Sequence, residues 1–131
     1  MKYILLMSGT QTGVKTYRTW SRQDADSHMA VLNSIRVDLT QSGEFVDTNG
    51  LAGPDSAMIV RGLTNGVPIT DGIFPESKEF LLGYWIVDVA TPERAHAIAA
   101  RISTAPGPGG VPTNMPIEVR QIVSHPSGKS L

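Results

Sequence analysis

Apolar residues occupy both alternating faces of the first segment, Lys2 to Met7. Tyr3, Leu5 and Met7 lie on one side and Ile4 and Leu6 on the other, the pattern of a central strand. The Gly9 to Gly13 stretch then reads as a turn. From Gln23 to Ser42, Ala25, Met29, Leu32, Ile35 and Leu39 recur at helical spacing, and Gly43 supplies the C-terminal cap. At about 100° per residue the apolar arc of this helix also takes in Val31, with His28 and Arg36 inside it. Phe45, Val46 and Leu51 mark an irregular extended segment, and Ala57 to Leu63 makes a better strand. Asn65-Gly66, between Met58-Ile59-Val60 and Val67-Pro68-Ile69, predicts a tight hairpin, because both central positions favour positive φ. Pro68 has no N–H to donate to a ladder, so the second arm reads as an edge strand.

In the second half, Leu81 to Ala90 is a long strand, with Leu82, Tyr84 and Ile86 alternating against Leu81, Trp85, Val87 and Val89. Thr91-Pro92-Glu93 starts a helix by a clear mechanism: threonine caps, proline takes the first helical position, and a carboxylate sits near the positive dipole end. Ala95, Ile98, Ala99 and Ile102 form its buried stripe. The prolines and glycines between Thr104 and Pro116 predict a surface loop. A last strand alternates Ile117, Val119, Gln121 and Val123 with Glu118, Arg120 and Ile122.

This order gives two β-α-β halves with a hairpin between them, an α+β chain on the ferredoxin-like plan. Two helices cover one face of such a sheet, yet the strands at Lys2 and Leu81 are apolar on both. At roughly 25 cal/mol per Å², leaving Trp85, Val87 and Val89 in water would forgo several kcal/mol. A homodimer packed sheet to sheet removes that exposure, forming a dimeric α+β barrel. The alternative cover is the proline-rich loop or the tail folding back.

Length and composition narrow the picture further. The chain has 131 residues, in the usual range of one domain, which is read as residues 1–124 with a tail over 125–131. The absence of cysteine excludes disulfides and thiolate metal sites and fits a cytoplasmic protein. The apolar run in MKYILLMSG is too short for a signal-peptide core or a membrane span, so no membrane association is expected. A net charge of -1 without a basic block argues against direct nucleic-acid binding. There is no nucleophile elbow, phosphate loop or dinucleotide fingerprint, and His96 and His125 lack metal-ligand spacing with His28. Neither cofactor nor metal is expected.

Ile69-Thr70-Asp71-Gly72-Ile73-Phe74-Pro75-Glu76-Ser77-Lys78-Glu79, followed by Gly83-Tyr84-Trp85, resembles the signature VTDGPFAETKE…GGYY of the YCII-related, or DGPF, family. MKYILLMSG, the strand ending at Arg61 and the closing Ile117-Glu118-Val119-Arg120 match the family's other segments. The resemblance implies a ferredoxin-like dimer, in a family whose members mostly lack an assigned activity and some of which are encoded beside extracytoplasmic-function sigma factors. Ile73 and Gln121 stand where the family has proline, and Ser77 keeps the hydroxyl of its threonine.

Two functions are carried forward. The first is an accessory or regulatory dimer that binds a small ligand. The second is a cofactor-independent enzyme that moves a proton on a small, anionic metabolite, with His28 or Asp71 as acid or base. Asp71, Glu76, Lys78 and Glu79 gather three carboxylates and an ammonium near one turn, a mixture that splits acid and base roles or simply makes a solvated ion cluster. Arg61 and Arg120 lie in apolar strands, where a permanent guanidinium charge requires an anionic ligand or an internal partner such as Asp71, Glu76 or Glu118.

Overall fold

A computed structural model describes residues 1–72 and 79–129. Its elements run β1 (Lys2–Gly9), α1 (Gln11–Tyr17), α2 (Arg22–Gln41), β2 (Phe45–Gly50), β3 (Met58–Thr64), β4 (Val67–Gly72), β5 (Phe80–Asp88), α3 (Pro92–Ser103) and β6 (Ile117–Gln121). Short 3-10 turns occupy Pro54–Ser56 and Pro108–Gly110.

The main sheet has the order β2-β5-β1-β6 with every neighbouring pair antiparallel. The two long apolar strands β1 and β5 therefore take the centre, and α2 and α3 serve as the two crossovers. This is the ferredoxin-like α+β fold. The third strand in sequence differs from expectation. Phe45–Gly50, read as an irregular extension, pairs with β5, while among the described residues Met58–Thr64 pairs only with β4 in a separate two-stranded ribbon. Alternating apolarity around 57–63 describes a ribbon as well as a sheet strand, so pattern alone does not separate the two.

The helices form for local reasons. Ser21 accepts a hydrogen bond from the Asp24 amide, opening α2, and Gly43 follows its end at φ +79, a value that a side chain would resist. Thr91 caps α3 by accepting from the Arg94 amide, with Pro92 in the first turn. The Gly9 to Gly13 turn is corrected by α1: Thr10 accepts from the Gly13 amide and starts a seven-residue helix. A helix this short lacks the periodicity that reveals longer ones.

The core lies between the sheet and α2 and α3. Tyr3, Leu5, Trp85, Val87 and Val89 come from the sheet, Ile35 and Leu39 from α2, and Ala95, Ile98, Ala99 and Ile102 from α3. Phe45 sets its ring edge-on to Trp85, with centroids 6.2 Å apart. Trp85, Val87 and Val89 therefore lie under the helices, and among the described residues the face left open is the other one. The register that pairs Leu5 with Trp85 also pairs Ile4 with Ile86 and Leu6 with Tyr84, so these four share the uncovered side, where each is half-buried. On α2 the buried positions are His28, Ile35 and Leu39, while Met29 and Val31, placed in the arc by periodicity, are exposed.

The loop from Thr104 to Pro116 is not purely surface. Ala105 and Gly107 are buried, and a bridge joins Pro106 to Pro112. The final strand stops at Gln121, two residues before Val123.

Candidate functional site

His28 stands on the buried side of α2 at 7% exposure. Its Nδ1 lies 2.9 Å from the Pro106 carbonyl oxygen. A carbonyl only accepts, so Nδ1 carries a proton, and the uncharged tautomer compatible with this bond has its lone pair on Nε2. The rings of Trp20 and Tyr17 meet the imidazole edge-on, at 5.5 and 6.4 Å between centroids. The contact also holds the proline-rich loop against α2. Further along, Thr113 donates to the Ser103 carbonyl and Ser103 donates to the Met115 carbonyl.

The open face carries a second polar group. Asp47 on β2 lies beside Tyr84 on β5, whose hydroxyl donates to Asp47 Oδ2 at 2.7 Å. Asn49 in turn donates from Nδ2 to the Tyr84 oxygen at 3.0 Å and reaches Asp47 Oδ1 at 3.5 Å. Gly83 allows β2 to approach this closely: a Cβ there would stand 3.0 Å from the Asn49 carbonyl oxygen. Asp47 and Asn49 escaped the sequence reading because their segment looked irregular. The one available signal was Tyr84 directly after Gly83.

The structure divides the residues singled out from sequence. Arg61 and Asp71 meet across the β3–β4 ribbon at 4.0 Å, both exposed. Arg120 reaches Glu118 on its own strand at 3.6 Å, also in the open. Glu79 is exposed just ahead of β5. Glu76 and Lys78 fall outside the described residues. His28 is held by α2 and the proline-rich loop, and Asp71 by the ribbon, so no hydrogen bond or ion pair among the described residues joins them.

Two other features bear on ligand chemistry. A surface depression of about 120 Å³ is lined by Gln11, Lys15, Arg18 and Asp55, well under the roughly 300 to 1,000 Å³ of small-molecule pockets. Among the described residues no three His, Asp or Glu side chains cluster as metal ligands would. No helix there is long and apolar enough to cross a membrane.

An antiparallel four-stranded sheet with two crossover helices and one open face defines an α+β sandwich of the ferredoxin-like class. Within that class the chain belongs to the YCII-related domain family, whose model matches residues 1–118. It is also similar to an uncharacterised protein of Rhizobium meliloti, 26% identical over 110 residues that cover 84% of this chain and 85% of that protein.

Proposed function

We propose that the chain acts as a homodimer binding a small polar or anionic ligand over the open sheet face, in an accessory or regulatory role. The observation that carries this reading is the Tyr84–Asp47–Asn49 network, a polar cluster already in bonding geometry beside Ile4, Leu6 and Ile86. Fixed polar groups within an apolar surround are what small-ligand sites use to orient their contents. A second subunit laid over the face would exclude water and strengthen each of these bonds. An accessory role beside a sigma factor, the setting the family resemblance implies, fits a domain of this kind, and a cytoplasmic location fits a chain without cysteine.

The test is a thermal-shift panel of small anions and polar metabolites, run beside sedimentation. A ligand at a hundred times its Kd should stabilise the fold by about 2.7 kcal/mol. Tyr84→Phe and Asp47→Asn should abolish that shift while the protein stays folded. Shifts indifferent to both substitutions, or a folded monomer at micromolar concentration, would remove the reading.

A second reading has support in the tautomer of His28. With Nδ1–H held by Pro106, Nε2 presents a lone pair, the atom a general base requires. In this reading His28 or Asp71 transfers a proton and Arg61 or Arg120 orients an anionic substrate. Turnover by the purified protein that disappears in a folded His28→Gln variant would support it; turnover unchanged in that variant and in Asp71→Asn would reject it.

A further inference from the structure

Among the described residues the β3–β4 ribbon forms a sheet of its own and is largely exposed. Of its residues only Ile59 is half-buried; the others are exposed, including Met58, Val60, Leu63, Val67 and Ile69 at 43 to 70%. A lone two-stranded hairpin is marginal in water, and five large apolar side chains left wet on one ribbon mark a contact surface. The same chain also has an uncovered apolar strip on its main sheet, formed by Ile4, Leu6, Leu82 and Ile86.

We infer that the ribbon is an exchanged arm: each subunit lays β3–β4 across the open sheet face of its partner, so that the Tyr84–Asp47–Asn49 site is completed by residues of a second copy. This rests on the homodimer reading above and gives it a geometry. Two observations favour a second copy as the occupant. The two surfaces are both apolar and belong to one sequence, so a single two-fold operation covers both at once. Each carries one exposed ion pair of mixed sign, Arg61–Asp71 on the arm and Arg120–Glu118 on the sheet, so bringing them together opposes no net like charge.

Docking through the faces of the arm also suits its edge. The Asn65-Gly66 turn closes on the Thr64–Val67 pair, and one step beyond stands Pro68 opposite Leu63. There the alternating ladder turns its N–H groups outward, so proline leaves the outer edge of β4 short of a donor and a poor template for another strand.

The chain lacks cysteine, which makes a disulfide trap clean. Arm variants Val60→Cys and Leu63→Cys would be coexpressed, under different tags, with face variants Leu6→Cys and Ile86→Cys, then oxidised. Arm-to-face disulfides between differently tagged chains should form at least tenfold over arm-to-arm and face-to-face links. Predominance of either like-to-like link, or an intrachain link in a Leu63→Cys/Leu6→Cys double variant, overturns arm exchange while a dimer by sedimentation preserves the reading beneath it. A cysteine-free chain that sediments as a monomer at micromolar concentration overturns both and leaves the arm to a different protein.

Discussion

Arg94 grips Glu44 with two nitrogens, Nε and Nη2, each 2.9 Å from a carboxylate oxygen. The Arg94 hydrogen bond is the main reason the Glu44 carboxyl titrates below its ordinary range, opposed by partial desolvation and aided by Ser42. Because the folded group is the stronger acid, the pair's stabilisation is complete above the ordinary glutamate range and is lost as pH falls through the lowered folded value. Arg94→Ala should therefore cost about 1 kcal/mol at neutral pH and flatten the acid limb of the stability curve, as urea titrations at several pH values would show. His28 is the second residue whose surroundings define an expectation. His28→Ala removes a buried ring and the bond to Pro106, and should cost about 2 to 4 kcal/mol. It should also speed amide exchange at Gly107, whose N–H donates to Val111 within the loop that His28 holds.

At the scale of elements, α2 separates what periodicity captures from what it blurs. Ile35 and Leu39 are sealed at 0 and 1% exposure, whereas Leu32 is half-buried. Ile35→Ala should cost about 2 to 5 kcal/mol and Leu32→Ala distinctly less, an order that chemical denaturation of the two variants will establish. Met29 and Val31 were drawn into the apolar arc because a pattern of 20 residues fits several rotations of the helix; only contact with the sheet selects one. Two caps were legible because each is a local event: Gly43 and Thr91 act within a few residues of themselves, whereas the Ser21 cap of α2 emerged only in the structure. The short α1 and the bulged β2 were not, since the first offers fewer than two turns of pattern and the second breaks its alternation between Phe45 and Asp47.

Across the whole molecule, the question is what covers the second face of the sheet. Ile86 lies on that face and outside the core formed with the helices. In the proposed homodimer, Ile86→Asp should yield a folded monomer with little loss of helical signal, seen by light scattering together with circular dichroism. A similar charge on Trp85, which is 2% exposed, should unfold the subunit instead. The contrast between neighbouring residues distinguishes an interface from a core more sharply than the size of either effect alone.

The sequence by itself determined the class of fold, the central place of β1 and β5, both long helices with the caps at Gly43 and Thr91, the Asn65-Gly66 turn and the kinship with YCII-related domains. These follow from composition, short-range geometry and motif, all of which act along the chain. Tertiary structure decided which face of each strand met the helices, that Phe45–Gly50 rather than Met58–Thr64 completed the sheet, and that Asp47 and Asn49 came to rest on Tyr84. Each of those depends on a register between segments far apart in the chain. A strand apolar on both sides holds no information about which side is paired until its neighbours arrive.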